Sequence, residues 1–343
     1  MKKGYRENER SKSSNLIQNT NLFDGAESGR NKKDEILLDG IYNIYEPIRN
    51  DVIEYFVRND ISFWHAPHEP RCKPTGHTLS SQVCCINHLF PIRHDEKTVL
   101  SIANLFCQGI KEVFPIKTDK YSQGYIQFES ITDKNYLNEK QTTRGSNCTS
   151  VDALIYGKHD NGKRIIIPIE WKYIEYYADT DKSTENRKGE AKETEGKGKE
   201  RLKRYSELID NSQYLQNSQY LSGLSNYRKS VYFFEPFYQL MRQTLWAEQM
   251  IKHNKTETIQ ADDYIHIHII PNMNDKLLGK YKLGKDKPDG RNMEEIWRSC
   301  LKNTEKYKII DPKDLLKVLD NQKYGDLRKY LNERYWNNGE YPT

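Results

Sequence analysis

Long apolar runs are missing from this sequence. No stretch approaches the roughly 20 consecutive apolar residues of a membrane-spanning helix. The basic N-terminal segment MKKGYRENERSKSSN is not followed by the apolar core of a secretory signal. We therefore expect a cytoplasmic protein without a membrane partner, and not a secreted one.

The sequence also has few cysteines and a small net charge. The six cysteines are scattered, so no disulfide framework is visible, and we expect reduced thiols, as in the cytosol. The 54 Lys and Arg against 49 Asp and Glu give a formal net charge of +5, which permits a polyanionic partner without demanding one. What is present is length: 343 residues, 36% of them hydrophobic, suffice for a substantial core.

Periodicity predicts a mixture of helices and strands. Helices are predicted over 37–57, 79–90, 98–113, 202–221 and 234–251, with about three short ones over 293–336. Strands are predicted over 124–131, 149–156, 164–173 and 264–270. This order predicts an α/β fold, with a mixed β-sheet flanked by helices and additional helices at the N- and C-terminal ends.

Composition divides the chain into three parts. Residues 1–35 are polar and lack periodicity, so they predict a flexible N-terminal arm. Residues 36–275 form the main domain, with a charged insert at 178–204, and 276–343 form a C-terminal helical extension. The insert has two interpretations that the sequence leaves open, a clamp on phosphates and a solvated segment.

The informative stretch contains Asp152, Glu170 and Lys172. The segments TSVDALIY and RIIIPIEWKY flank an Asn-Gly turn, which predicts a β-hairpin. Because side chains alternate along a strand, Glu170 and Lys172 share one face, and Trp171 lies on the other. An antiparallel hairpin then brings Asp152 next to Glu170.

Two carboxylates that converge repel each other unless a cation binds or a proton is taken up. A hard divalent ion such as Mg²⁺ suits oxygen ligands, and it can polarise a phosphodiester and lower the pKa of a bound water. Lys172 beside it can orient or deprotonate that water, or offset charge on the phosphorane. A charged outer face on a half-exposed strand would equally explain Glu170 and Lys172. The isoleucine run favours a central strand, where the burial of charged side chains costs free energy and therefore indicates a functional role.

Three blocks in order carry a resemblance: LSSQVCCINHLFPI at 79–92, TSVDAL with IEWKY, and FYQLMRQTLWAEQ at 237–249. Over about 75–252 the chain resembles the PD-(D/E)xK nuclease superfamily, and within it a bacterial family of restriction-endonuclease-like proteins. The resemblance implies a restriction-endonuclease-like αβα core and a Mg²⁺-dependent endonuclease, with Mn²⁺ able to substitute. DNA is the implied substrate, and a homodimer is implied for cutting both strands.

The resemblance also implies roles for individual residues. Asp152 and Glu170 match the acidic metal ligands, Lys172 matches the catalytic lysine, and the carbonyl of Trp171 matches a main-chain ligand. The helical glutamate of many members corresponds in position to Gln82, a departure that weakens a two-metal scheme, while Glu129 is an auxiliary acid. The motif's proline is replaced by Val151.

Several further positions are secondary candidates. His77, Ser81, Arg242 and Gln243 are candidate DNA contacts, although Ser81 is also a candidate helix cap, and Arg242 and Gln243 are equally explained as solvated helix positions. A loop and helix with His65, His68, Cys72, His77, Cys84, Cys85 and His88 carries zinc-type ligands, but the spacing fits no common zinc motif. Trp64, Trp246, Trp297 and Trp336 are expected to pack in the core or at its edge.

The sequence thus predicts a metal-dependent DNA endonuclease with a role in restriction or another form of defence. One alternative is a nucleic-acid-binding module that keeps the fold without cleaving. Another is an intact nuclease of repair or recombination.

Overall fold

A mixed sheet of seven strands lies at the centre of the fold. The computed structural model describes residues 4–23, 25–29, 33–64, 72–117, 123–139, 148–177, 180–185, 196–217, 227–283 and 290–336. The strands are β1 Ile110–Val113, β2 Ile116–Lys117, β3 Gln123–Gly124, β4 Ile126–Ser130, β5 Val151–His159, β6 Arg164–Trp171, β7 Asp263–Tyr264, β8 His266–Ile269 and β9 Tyr307–Ile310. The sheet order is β1-β5-β6-β8-β9, with β4 also paired to β5 and β7 to β6, while β2 and β3 form a separate pair.

The predicted hairpin is confirmed. Strands β5 and β6 are antiparallel, with Ala153 opposite Ile169 and Lys158 opposite Arg164. In the turn, Gly162 has a φ of +84°, a left-handed conformation that glycine adopts without steric cost. Asn161 has no positive φ, so the turn is a three-residue loop that ends in the glycine rather than a two-residue turn with both central residues left-handed.

Strand β6 is the central strand, as its isoleucine run predicts. It pairs antiparallel with β5 on one side and parallel with β7 and β8 on the other. Every residue from Ile165 to Trp171 is buried. A central strand of this kind is covered on both faces of the sheet, which accounts for its continuous isoleucine run.

Helices cover both faces of the sheet. They are α1 Tyr5–Asn19, α2 Arg49–Arg58, α3 Ser81–Leu89, α4 Glu96–Phe106, α5 Lys197–Asp210, α6 Phe237–Lys252, α7 Asp275–Leu278, α8 Met293–Ser299, α9 Pro312–Val318 and α10 Asn321–Leu331. Ile167 and Trp171 face a core built with α2, α3 and α4, whereas Ile166 faces a second core built with α5, α6 and α8. The predicted α/β class, a mixed sheet flanked by helices, is therefore confirmed. Among the described residues, no helix has the length and apolarity needed to cross a membrane.

The N-terminal segment differs from the loose arm predicted for it, because α1 packs on the rest of the chain. Its buried residues are Tyr5, Glu9 and Ser13, one on each turn. The hydroxyl of Tyr173 donates a hydrogen bond to Glu9 Oε2 at 2.5 Å. Two of the three buried positions are polar, so hydrophobic periodicity does not reveal this helix.

Several predicted helices are shorter than expected, and strands β1, β2 and β9 were not predicted. The helix predicted over 202–221 is α5, which ends at Asp210, and β1 lies within the segment predicted as a helix over 98–113. Helix α2 begins only at Arg49, because the preceding residues form 3₁₀ turns, one of which contains Pro47. Helix α4 ends at Phe106, ahead of Gly109, whose φ of +92° is incompatible with a helix. The four-residue strand β9 lies within the segment predicted to be purely helical, and its length is too short for a periodic signal.

The charged insert is described only in part. Residues 180–185 and 196–204 are described, and the latter belong to the first two turns of α5 and its N-cap. Arg201 there forms an ion pair with Glu185 at 2.8 Å. The rest of the predicted insert lies outside the described residues.

Candidate active site

Asp152 and Glu170 come together at the open end of the β5–β6 hairpin. The register that pairs Ala153 with Ile169 places Asp152 opposite Glu170 one residue further on. Asp152 Oδ2 accepts a hydrogen bond from the backbone N–H of Trp171 at 2.7 Å. Asp152 is partly exposed, whereas Glu170 is buried. The geometry therefore has both carboxylates on the sheet face that α6 covers.

Lys172 lies immediately beyond β6, on the same face as Glu170. Its backbone N–H donates to the carbonyl of Ile269 at 2.8 Å, which continues the pairing with β8. Its Nζ donates to Glu170 Oε1 at 2.5 Å and to Gln239 Oε1 at 2.7 Å. The side chain is buried, so this charge is held by partners rather than by solvent.

Helix α6 supplies two glutamines that hold the strand residues. Gln239 and Gln243 are four residues apart, which puts both on one face of the helix. Gln239 accepts from Lys172, and the Gln243 side-chain amide donates to Glu170 Oε2 and to the carbonyl of Ser150. The helix is fixed in this position because its other residues fill the second core.

Glu129 brings a third carboxylate to the same region. It has a φ of +49°, a left-handed conformation that is uncommon and costly for a residue other than glycine. Its Oε1 accepts from Gln82 Nε2 at 2.8 Å, and its Oε2 accepts from Ser150 Oγ at 3.0 Å. The two auxiliary positions predicted from the sequence, Gln82 and Glu129, are thus direct partners.

The electrostatics of the cluster fit a bound cation. Burial raises the pKa of Asp152 well above its usual range, and the Glu170 and Glu129 carboxylates raise it further, against the opposing charge of Lys172. Burial lowers the pKa of Lys172, but the Glu170 carboxylate outweighs it with help from Tyr177, and the net pKa lies well above the ordinary lysine value. A divalent ion between the carboxylates would relieve their repulsion.

The donor set for such an ion is small. In the stretches of chain that are described, no three His, Cys, Asp or Glu side chains form a cluster that could hold a metal. A cation here would depend on the Asp152 and Glu170 carboxylates, the Trp171 carbonyl and water. Oxygen ligands with several waters are what Mg²⁺ prefers, so the residues present fit that ion.

A cleft of about 530 Å³ opens onto these residues. Its lining comprises Arg6, Trp64, His77, Leu79, Ser80, Ser81, Gln82, Glu129, Asp152, Glu170, Trp171, Lys172, Ile174, Glu175, Tyr176, Tyr177 and Gln239. All three residues of the predicted catalytic core line it, together with both auxiliary positions. A volume of this size is typical of pockets that take a small molecule or a nucleotide unit.

The four candidate DNA contacts have different positions. His77 and Ser81 line the cleft, and burial lowers the pKa of His77, with the Glu35 carboxylate opposing. Arg242 instead forms an ion pair with Glu139 at 3.0 Å, away from the cleft lining. Gln243 faces Glu170 rather than solvent.

The zinc interpretation finds no support in the described residues. His88 Nε2 accepts from the Trp336 indole at 2.8 Å, and its Nδ1 lies 2.7 Å from the carbonyl of Cys84, so both ring nitrogens are engaged. Burial lowers the pKa of His88 to about 3. Its surroundings are those of a neutral core histidine. His65 and His68 lie outside the described residues.

Sequence reasoning missed several residues of the cleft. The position of Gln239 was predictable from the sequence, because it lies one helical turn before the candidate residue Gln243 in a helix that is otherwise mostly buried. Arg6 reaches the cleft only because α1 folds back on the core, which no local pattern reveals. Trp64 was expected to pack in the core or at its edge, but 54% of it is exposed.

The role of Gln243 gives a first prediction. Gln243→Leu removes the donor to a buried carboxylate oxygen, so we expect the folded state to lose about 1–3 kcal/mol. Turnover of a substrate that reacts at this cluster should fall roughly tenfold with KM little changed, because Glu170 loses its orientation. Thermal unfolding and steady-state kinetics measure the two effects.

Gln249→Leu, at another buried glutamine of α6 that is outside the cleft lining, is the matched control. We expect it to leave turnover near wild type. An equal loss of turnover in both variants would show that the effect of Gln243→Leu is general to the helix.

The comparisons with known proteins give one match. The family model described as Restriction Endonuclease associating with ARP matches residues 11–336. No curated protein and no solved structure matches the chain.

Proposed function

The chain belongs to this family, Restriction Endonuclease associating with ARP, and from that premise we propose that it is a Mg²⁺-dependent DNA endonuclease. Family membership indicates a nuclease-type function. The finer proposal is hydrolysis of DNA phosphodiester bonds at a PD-(D/E)xK-type cluster of Asp152, Glu170 and Lys172, in restriction or another defence role. The observation that carries it is the buried Lys172–Glu170 pair beside Asp152, on the wall of one cleft.

A buried ion pair of this kind needs an explanation. Taking two charges out of water costs several kcal/mol per ion, and apolar residues of similar volume often give equal or better stability. Here Gln239 accepts a hydrogen bond from Lys172, and Gln243 donates one to Glu170. The pair also lies beside a second carboxylate, that of Asp152. A buried cluster of charged and polar side chains at a cleft is typical of a catalytic site.

The metal would be held by Asp152, Glu170 and the Trp171 carbonyl, with Mn²⁺ able to replace Mg²⁺. When bound, a divalent cation of this type supplies Lewis-acid polarisation of the phosphate and a lower pKa for water. Asp152 is oriented for this by the hydrogen bond that it accepts from the Trp171 N–H. Glu170 is oriented from two sides, by Lys172 and by Gln243.

Lys172 supplies a fixed positive charge at the reacting phosphate. Its ammonium is held between Glu170 and Gln239, so it cannot swing into solvent. A cation in this position offsets the negative charge that grows on the phosphorane as water attacks. The burial of the pair keeps this interaction strong, because water does not screen it.

The direct test uses supercoiled plasmid DNA. We expect the wild-type protein to convert it to nicked and linear forms with Mg²⁺ or Mn²⁺, and to leave it intact with EDTA. A non-cleaving binding module would bind DNA without cutting under any condition. Failure to cut any DNA or RNA with either ion would refute the proposal, whereas cutting in EDTA would refute its metal dependence.

Restriction and repair roles differ in target choice. A restriction nuclease should cut at a defined sequence, so digestion of several plasmids should give reproducible fragments. A repair or recombination nuclease should instead depend on DNA structure. A homodimer, implied by the resemblance for cutting both strands, would be measured by sedimentation with and without DNA.

A further inference from the structure

Trp64 is exposed, unlike the other four tryptophans. Its exposed fraction is 54%, whereas Trp171, Trp246, Trp297 and Trp336 are exposed by 5% or less. Trp64 also lines the cleft that holds the acid cluster. A large aromatic side chain that stays in water at a site of this kind marks a contact surface for a ligand.

Tyr176 is a second exposed aromatic residue on the same cleft. Its exposed fraction is 48%. The Lys276 ammonium lies 5.7 Å from the centre of its ring, and Arg6 lines the cleft as well. Aromatic rings interleaved with cations are the combination that binds the bases and phosphates of an unpaired nucleic-acid strand.

The backbone of Trp64 is tied to the acid cluster. Its N–H donates to Gln82 Oε1 at 2.8 Å, and Gln82 Nε2 donates to Glu129 Oε1 at 2.8 Å. The indole ring meets His77 edge to face, with 6.2 Å between the ring centres. A base that stacks on Trp64 would therefore lie at a fixed offset from the carboxylates.

We propose that Trp64 and Tyr176 stack on unpaired nucleobases of the strand whose phosphate enters the acid cluster. The inference rests on the proposed function and names its substrate class. In an intact duplex both faces of each base are covered by neighbouring bases, so a protein ring reaches a base only where stacking is broken. Such a base is supplied by a single strand, an overhang or a flap, or by a duplex from which the enzyme unstacks a nucleotide beside the scissile phosphate, and pre-unstacked DNA binds more tightly because no unstacking energy is spent.

Binding in EDTA tests the inference without cleavage. Fluorescently labelled oligonucleotides are used as a single strand, a duplex with an overhang and a blunt duplex. We expect the wild type to prefer the first two, and Trp64→Ala to weaken their binding by roughly 5- to 100-fold, the range of one lost base stack. Tyr176→Ala should act in the same direction.

Two further variants separate stacking from a general surface effect. Trp64→Phe keeps a ring and should retain most of the affinity. Met273→Ala, at another exposed apolar residue outside this cleft, should bind like wild type. Acrylamide quenching gives an independent reading, because Trp64 is the accessible indole and a bound single strand should protect it.

The outcomes separate the inference from the proposed function. Cleavage by the wild type, together with unchanged single-strand binding by Trp64→Ala, would overturn the stacking site and leave the nuclease in place. Trp64-dependent binding without cleavage in Mg²⁺ would uphold the stacking site and refute the nuclease.

Discussion

Lys172→Gln should reduce DNA cleavage by roughly 10²- to 10⁴-fold, the usual contribution of a catalytic residue that carries charge or moves a proton in the transition state. The variant keeps a side-chain amide that can donate to Glu170, so the buried carboxylate retains a partner. Affinity for uncut DNA in EDTA should fall much less, because one buried charge contributes little to a surface that meets many phosphates.

The choice of substitution matters because Lys172→Ala has a second effect. It would leave Glu170 charged and buried opposite an empty space, and breaking a buried pair in this way costs about 3–5 kcal/mol. Loss of activity in that variant could therefore reflect unfolding. Lys163→Ala, at a lysine with 56% of its side chain exposed, is the matched control and should cut like wild type. Wild-type cleavage by a folded Lys172→Gln would remove this residue from the mechanism.

Asp152→Asn should abolish Mg²⁺-dependent cleavage and at the same time stabilise the metal-free protein. Asparagine can still accept the hydrogen bond from the Trp171 N–H, so the local backbone is kept. It removes the charge that repels Glu170 and Glu129. Relief of such repulsion at a functional site usually raises stability at the expense of activity, and we expect the melting temperature in EDTA to rise by a few degrees.

The pH dependence has a definite sign. Because the pKa of Asp152 is raised in the folded protein, the folded state binds its proton more tightly than the unfolded state does. Metal-free wild type should therefore lose stability as the pH rises above the ordinary aspartate pKa, and Asp152→Asn should lose less. Thermal unfolding between pH 4 and 8 measures the difference.

The effect of Mg²⁺ on the melting temperature tests the role of Asp152 as a metal ligand. It should raise the melting temperature of the wild type and have little effect on Asp152→Asn, because ligand binding to the folded state stabilises it by mass action. Asp262→Asn, at a partly exposed carboxylate that is paired with Arg164 and lies outside the cleft lining, controls for nonspecific charge effects and should keep the Mg²⁺ response. Equal Mg²⁺ responses in wild type and Asp152→Asn would contradict the assignment.

The pairing of Asp152, Glu170 and Lys172 was predictable because it depends on local rules. Strand alternation and the turn at Gly162 fix which side chains share a face and which residues are opposite each other. The central position of β6 likewise follows from its composition. These features require no knowledge of the tertiary packing.

The rest of the cleft depends on packing between distant segments. Gln239 reaches Lys172 because α6 is docked by its apolar residues, and the distance along the chain is 67 residues. Arg6 reaches the cleft through α1, whose buried face is mostly polar. Tryptophan side chains are usually buried, so the sequence alone predicts a buried Trp64, whereas the side chain is exposed.

The central claim is that two carboxylates and one carbonyl hold a divalent cation beside Lys172. The most direct measurement is anomalous X-ray diffraction from crystals grown with Mn²⁺. The predicted result is a Mn²⁺ peak at a bonding distance of about 2.0–2.6 Å from the Asp152 and Glu170 carboxylates and the Trp171 carbonyl. A fully occupied Mn²⁺ bound elsewhere, with these three groups unliganded, would contradict the account.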